Sequence, residues 1–401
     1  MNPEKHASSI ALVNLAALHE NICRVRRRSG CGKILPVVKA DAYGHGAVEV
    51  ARFLSGTGGP GKGAKNNGLG KDLSGEISMF GVAFLEEGMA LRKAGIRHPI
   101  LLLAGCPITQ IPEIVRYGLT PVLFDSESMT ALSRYAKKIG KVVNVHIKFD
   151  TGMGRIGLSP ADASSFIAKV VDQEGICVEG ILTHFADADL KDLSFARYQL
   201  KAISEIWKKL EKGGINIPYC HIANSAAIMH FSRAHLNLVR PGLMLYGYSP
   251  LEGRTKVRLS PVMQVKSRVI ALRRVPAGVS ISYGRTYVTP RESLIATVSI
   301  GYADGYPRLL SNRGVMLAKG KRVPVVGRVC MDMTMLDVSQ VPSLSVGDWV
   351  TVIGAENKQT VWADEVARAS ETIPYEILCG IGDRVQRVYL HENASRTKSR
   401  P

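Results

Sequence analysis

The sequence predicts an α/β protein: a (β/α)8 barrel followed by a mostly antiparallel β domain. From Ile34 to Arg240 short apolar runs alternate with amphipathic stretches, the signature of parallel strands carrying helices between them. Eight such runs fall within about 210 residues, close to the ~250 typical of such a barrel. Beyond about Tyr246 the texture changes to β-branched segments punctuated by Gly and Pro, as in antiparallel sheets. At 401 residues, with 46% hydrophobic and 21% charged content, the chain can bury a large core and divide in two. The division is placed at 1–245 for the barrel, 246–392 for the β domain and 393–401 for a basic, disordered tail.

The elements follow in order. Ile34 to Val38 reads as a buried strand and Gly46 to Leu54 as its helix, so Lys39 stands at the carboxyl end of the strand. The remaining barrel strands are expected at 79–84, 99–104, 120–123, 142–149, 178–184, 219–223 and 236–240. Helical patterns at Leu85 to Ala94, Ser126 to Ile139, Pro160 to Gln173 and Leu190 to Lys212 each put one apolar face against a sheet. In the second half, strands are expected at Val262 to Leu272, Ser293 to Ile300, Lys321 to Val326, Asp332 to Val338 and Asp348 to Ile353. A doubly wound open sheet is the competing architecture. It calls for Gly-x-Gly-x-x-Gly after the first strand, which Gly44-His-Gly46 does not supply. The segment Gly56 to Gly70, with seven glycines in fifteen residues, lacks Gly-Lys followed by Ser or Thr and reads as a surface insertion over about 56–75.

Composition excludes several classes. The excess of 52 Lys+Arg over 34 Asp+Glu gives +18, a balance that suits anionic ligands. The charge is scattered, dense only at Arg24 to Arg28 and in the tail. Aromatic content is 6% and no helix-turn-helix, zinc-finger or RNA-recognition pattern occurs, so no nucleic-acid partner is expected. Seven cysteines without a Cys-x-x-Cys pair read as reduced thiols, with no metal site. No run reaches the ~20 apolar residues that cross a bilayer, and Ile10 to Leu18 lacks the features of a secretory signal. A cytoplasmic, soluble protein is expected, with no membrane partner.

Lys39 is the feature that points to chemistry. An amine partly desolvated at a barrel mouth can form a Schiff base with an aldehyde cofactor. The competing reading is a lysine that closes the strand and reaches out to water.

Taken together, Val37-Val-Lys-Ala-Asp-Ala-Tyr-Gly-His-Gly46, Asp150-Thr-Gly-Met-Gly-Arg-Ile-Gly157, His184-Phe-Ala-Asp-Ala-Asp189, Arg240-Pro-Gly-Leu-Met-Leu-Tyr-Gly247, Ser282-Tyr-Gly284, Gly301-Tyr-Ala-Asp-Gly-Tyr306 and Cys330-Met-Asp332 resemble the motifs of bacterial alanine racemases. The likeness runs in order from about residue 8 to 390. It implies a pyridoxal 5'-phosphate enzyme with alanine as substrate, working as a head-to-tail homodimer whose active sites draw on both chains.

The resemblance also implies roles. Lys39 is the lysine bonded to the cofactor and one of two acid/base groups; Tyr283 is the other. Two are needed because inverting a stereocentre takes a proton from one face of a planar carbanion and returns one to the opposite face. Arg240 partners the pyridine nitrogen. An arginine donates without giving up its proton, which makes the ring a weaker electron sink and favours reprotonation over transamination. Tyr43, Ser225, the backbone amides of Gly242 and Leu243, and Tyr375 are implied for the phosphate, and His184 packs against the ring. Arg155 contacts the phenolic oxygen and assists the substrate carboxylate, with Lys148 as the lysine that can be carbamylated to orient it. The Met331 amide, with Asp332 beside it, anchors the carboxylate, and Tyr302 of the partner chain narrows the entrance. Tyr302 and Tyr375 crowd a small side-chain pocket.

The expected function is interconversion of L- and D-alanine for peptidoglycan. A racemase of serine or another amino acid and a non-catalytic cofactor-binding barrel are the alternatives. A decarboxylase on a similar barrel suits Tyr283 and Arg240 less well.

Overall fold

A computed structural model describes residues 7–30, 32–56, 75, 77–251, 254–255 and 257–391. The Gly-rich insertion, but for its two ends, and the basic tail lie outside the described residues. Six parallel strands, Phe80–Val82, Ile100–Leu102, Thr120–Leu123, Val143–Lys148, Ile176–Leu182 and Tyr219–His221, lie side by side in chain order. The expected first and last strands are extended segments, not ladders: Ile34 bridges both Ile77 and Val239 in parallel, and Val37 bridges Gly81. Backbone N–H groups of Leu35 and Val37 donate to the carbonyls of Val239 and Pro241, which closes the barrel. Pro36 and Pro241 have no N–H, so pairing on either side of them breaks into single bridges.

The expected helices form with trimmed ends. Leu85–Lys93, Ser126–Lys138, Ala163–Val171 and Ser194–Lys212 cover the sheet, and Ala47–Leu54 follows the first extended segment. Asp125 caps Ser126–Lys138 by accepting from the Ser128 N–H at 2.7 Å. The barrel core joins residues from every one of these elements, among them Phe80, Leu102, Val122, Ile147, Ile181 and Tyr246.

The second half is a nine-stranded sheet, antiparallel except for one pair. It is built around the long strand Met263–Val275, which bends where its register against Ser293–Val298 shifts. The parallel pair joins Ser9–Asn14 to Gln386–Leu390, and Ser9–Asn14 also pairs antiparallel with Met263–Val275. A division at residue 245 counts that first strand with the barrel, but its backbone belongs to the β sheet. Asn14 then accepts from the Ala17 N–H at 3.0 Å and starts the helix Leu15–Ser29, which turns back against the barrel. The two ends of the sequence thus tie the domains together.

Candidate active site

The site lies where the barrel strands end. Lys39 follows the first extended segment, Lys148 closes Val143–Lys148, and Thr183 and His184 follow Ile176–Leu182. Ser225 and Arg240 follow the last two parallel segments. All of these line one cavity of about 700 Å³, with Tyr43, Arg155, Gly242, Leu243 and Tyr375, a volume in the range of small-ligand sites. A larger groove of about 930 Å³ adjoins it and shares Asn224, Leu243 and Tyr375.

Electrostatics dominate the cavity. Lys39, Lys148, Arg155 and Arg240 all line it, and no carboxylate does so among the described residues. Burial first, then the charges of Arg240, Arg155, Lys148 and Lys39, hold His184 well below the usual imidazole range, so it is neutral. Burial, then Arg240 and Arg155, lowers the Lys148 amine to about 8. Burial lowers Arg240 to about 10, which leaves it a cation at neutral pH.

Arg240 is held from all sides. Nη1 donates to His221 Nδ1 and to the His221 carbonyl, each at 2.8 Å. Nη2 donates to the carbonyls of Thr183 at 2.8 Å and Ile222 at 3.1 Å, and to His184 Nδ1 at 3.3 Å. Nε–H is the guanidinium donor left without a partner among the described residues, and it belongs to a residue that lines the cavity.

Beside the Arg240 segment, at the end of the first extended segment, the chain makes an unusual turn. After Lys39, residues Ala40 to Tyr43 all adopt left-handed helical angles, φ 50 to 55° and ψ 42 to 52°. Each such non-glycine residue costs about 1–2 kcal/mol, so the turn persists only where its surroundings hold it. Glu87 helps: Oε1 accepts from the Ala40 N–H at 2.6 Å while Oε2 accepts from the Ala83 N–H at 2.6 Å. The turn brings Tyr43 against Tyr246, ring centroids 4.9 Å apart, and within 5.8 Å of Tyr375.

Ser225 is the first residue of the helix Ser225–His230, and Asn224 is its cap, accepting from the Ala227 N–H at 3.1 Å. The Ser225 hydroxyl accepts from the N–H groups of Gly242 at 3.0 Å and Met244 at 3.3 Å, which leaves its own hydrogen to donate. The Gly242 amide is therefore directed at Ser225. The Leu243 amide, at the start of a short 3₁₀ turn, has no intrahelical partner. Glycine at 242 leaves room for the Tyr43 hydroxyl, which a Cβ there would meet unless the tyrosine moved.

Arg155 sits on a loop organised by Asp150, whose carboxylate accepts from the N–H groups of Gly152, Gly154 and Arg155 at 2.9, 3.1 and 3.0 Å. Burial opposes ionisation of this carboxyl, and those N–H groups outweigh it and hold its pKa below the usual range. Tyr283, Tyr302, Met331 and Asp332 do not line the cavity. They lie on an outer face of the β domain, where Tyr283 is 71% and Met331 53% exposed, and Arg384 reaches across to Asp332 at 2.8 Å and the buried Asp304 at 3.0 Å. Sequence reasoning missed three side chains that bear on the site: His221, His146 behind it, and Glu87. Both histidines alternate with apolar residues on barrel strands, a period-2 signal of inward-pointing polar groups.

Comparison with known proteins agrees with this geometry. The family model described as "Alanine racemase, N-terminal domain" matches residues 13–66 and 61–250, and "Alanine racemase, C-terminal domain" matches 262–389. An alanine racemase of Halothermothrix orenii is 42% identical over 97% of this chain and 98% of its own. Among solved structures, alanine racemase of Clostridium difficile superposes with a TM-score of 0.88 at 36% identity, covering 97% of both chains. That of Bartonella henselae with covalently bound pyridoxal phosphate gives 0.82 at 29% identity, covering 96% of this chain and 100% of the other. Matched in both halves, at this identity and over nearly its whole length, the chain belongs to the alanine racemase family, the pyridoxal-phosphate enzymes that interconvert the two enantiomers of alanine.

Proposed function

We propose that this chain interconverts L- and D-alanine by a two-base mechanism and supplies D-alanine for the bacterial wall from the cytoplasm. The observation that carries the reading is the cavity itself: two lysines and two arginines around an aromatic-walled space, without a lining carboxylate among the described residues, suit an anionic cofactor and an amino-acid carboxylate at once. Pyridoxal phosphate fits the donor set. Its phosphate would take the hydroxyls of Tyr43, Ser225 and Tyr375 and the Leu243 amide, with Gly242 leaving room beside them; its ring would lie beside His184, with Arg240 Nε–H toward the ring nitrogen. Bound through Lys39, pyridoxal phosphate acts as an electron sink that acidifies the α-carbon of an amino acid.

The chain's own groups then move the proton. Lys39 Nζ takes or returns it on one face, and the Tyr283 hydroxyl serves the other. Arg155 and the Met331 amide hold the substrate carboxylate, with Asp332 beside that amide, and Tyr302 and Tyr375 limit the side chain to a methyl group. Lys148, carrying a carbamate, would give Arg155 an anionic partner. Because Tyr283, Tyr302, Met331 and Asp332 stand on an exposed face away from their own chain's cavity, the reading includes a second copy of the chain that presents this face to the barrel mouth, a homodimer with shared sites.

The test is direct. Purified protein with added pyridoxal phosphate should equilibrate L- and D-alanine, followed by chiral chromatography, with serine and lysine turned over poorly. Borohydride reduction and peptide mapping should place the pyridoxyl group on Lys39; an adduct on another lysine would overturn the assignment.

A further inference from the structure

We propose that His45 is a positioning residue for Lys39, locking from behind the left-handed turn that carries the Lys39 amine and the Tyr43 hydroxyl into the cavity. The proposal rests on the reading of Lys39 as the cofactor lysine and goes one step beyond it. His45 is fully buried and does not line the cavity. Its Nδ1 lies 3.0 Å from the Ala42 carbonyl and 2.9 Å from the Tyr43 carbonyl. Both partners are acceptors, so Nδ1 carries the hydrogen and one N–H pins the last two peptide units of the strained turn. A right-handed helix would satisfy such carbonyls with later N–H groups. Here the chain turns away at Gly44, which has φ 79° and whose Cβ would strike the Leu378 carbonyl; the His45 N–H still reaches the Ala42 carbonyl at 3.2 Å, and for the Tyr43 carbonyl the donor is the His45 side chain.

The lock is braced on rigid parts. The His45 ring stacks on Tyr246 with centroids 4.5 Å apart and planes 28° apart, and Tyr43 packs on that same tyrosine. The Tyr246 hydroxyl donates to the Val37 carbonyl at 2.9 Å, two residues before Lys39. Both flanks of Lys39 are thus tied to one histidine and tyrosine pair. From the other domain, Arg387 donates to the Gly44 carbonyl from Nε and Nη2, each at 3.1 Å, closing the turn against the β sheet.

Packing alone does not account for a histidine here. Its Nε2 is buried without a hydrogen-bond partner among the described residues, a penalty that leucine or phenylalanine would avoid while filling the same space. What those residues lack is the donor at Nδ1. The inference is therefore that the donor is retained for the aim of Lys39.

The experiment compares His45→Leu, which keeps bulk and loses the donor, with His45→Asn, whose amide nitrogen falls near the Nδ1 position. In the leucine variant kcat should fall by roughly a hundredfold, the usual penalty for a catalytic group misplaced by about 1 Å, with KM within about threefold. Hydrogen exchange of the 40–47 amides should accelerate in the protein without cofactor, and borohydride trapping of pyridoxal phosphate on Lys39 should slow by about tenfold. Asparagine should restore most of each loss. If the leucine variant does not fold, His45→Gln takes its place: its donor sits one bond too far, so it should do worse than asparagine on all three readouts. Leucine activity within threefold of the parent, or asparagine no better than leucine or glutamine, would overturn the proposal. If the parent protein itself is not trapped at Lys39, the underlying reading fails instead.

Discussion

Arg240 Nη1 donates to His221 Nδ1 at 2.8 Å, and that contact fixes the hydrogens on two buried imidazoles. An arginine only donates, so His221 Nδ1 is the acceptor and Nε2 carries the proton. His221 Nε2 lies 2.8 Å from His146 Nδ1 and donates to it. His146 then carries its hydrogen on Nε2, which faces the Glu179 carboxylate at 3.6 Å. The result is a one-way series of two donations, Arg240 to His221 to His146, ending on an N–H that faces a carboxylate from just beyond hydrogen-bond distance. Burial, then Arg240, holds His221 well below the ordinary imidazole range, so the series is built from neutral rings.

His221→Leu keeps the bulk and removes the acceptor, leaving Arg240 Nη1 with the backbone carbonyl alone. Turnover should drop by about 10–100-fold through loss of Arg240 alignment, while the cofactor still bonds to Lys39. Steady-state kinetics together with the visible absorbance of the loaded protein check this. A change below threefold would mean that the backbone carbonyls at Thr183, His221 and Ile222 suffice to aim the guanidinium.

The buried imidazoles make the fold acid-sensitive in a defined window. Burial lowers His45 to about 4 from the ordinary imidazole value of 6.5, with Arg387 adding to the shift and the carbonyls of Tyr43 and Ala42 opposing it. Burial keeps the hydroxyls of Tyr246, whose ring stacks on His45, and of Tyr43 neutral there. Between those two values the unfolded chain binds the proton and the folded chain does not. Stability is therefore full above 6.5 and falls as pH drops toward 4, by about 3 kcal/mol for this ring. His146, His184 and His221 act in the same direction. Thermal melts from pH 7 to 4.5 should show a steeper loss for the parent than for His45→Asn, which has no such proton to take up. Parallel curves would refute the assignment.

Lys148 has the lowered basicity that reaction with carbon dioxide calls for. Only the neutral amine attacks CO2, releasing one proton as the N–C bond forms, and an amine lowered to about 8 is about half neutral at that pH. In ¹³C-bicarbonate at pH 8 a carbamate resonance should appear and vanish in Lys148→Gln. The variant should raise KM for alanine about tenfold, because Arg155 loses its partner. A parent spectrum without the resonance would show the lysine acting as a free amine.

Much of this was legible in the chain because barrels write themselves in periodic apolar runs, and because Lys39, Lys148, His184 and Arg240 each end such a run. What was not legible has physical reasons. Nothing in Ala40-Asp-Ala-Tyr43 announces four left-handed residues, since that conformation is imposed from outside by Glu87, His45 and the β domain. The strand Ser9–Asn14 looks like any apolar start, and its pairing with Gln386–Leu390 spans nearly the full sequence. Pro36 hides the edge of the first extended segment by removing a ladder donor. The placement of Tyr283 outside its own cavity does not follow from spacing along one chain, and only the resemblance implied sites drawn from two copies.

That last point gives the sharpest prediction. If each site takes Lys39 from one chain and Tyr283 from another, then Lys39→Ala and Tyr283→Phe are defective alone but complement each other when mixed. A mixed dimer holds one site with both substitutions and one with neither. Random exchange makes half the dimers mixed, so activity should recover to about a quarter of the parent value. Gel filtration should report a dimer throughout. Each single variant also reads its own face: Tyr283→Phe should suppress deuterium wash-in at the α-carbon from one enantiomer far more than from the other. No recovery on mixing, with dimers demonstrably exchanging, would place both groups in one chain, and the exposed face bearing Tyr283, Tyr302 and Met331 would then need another occupant.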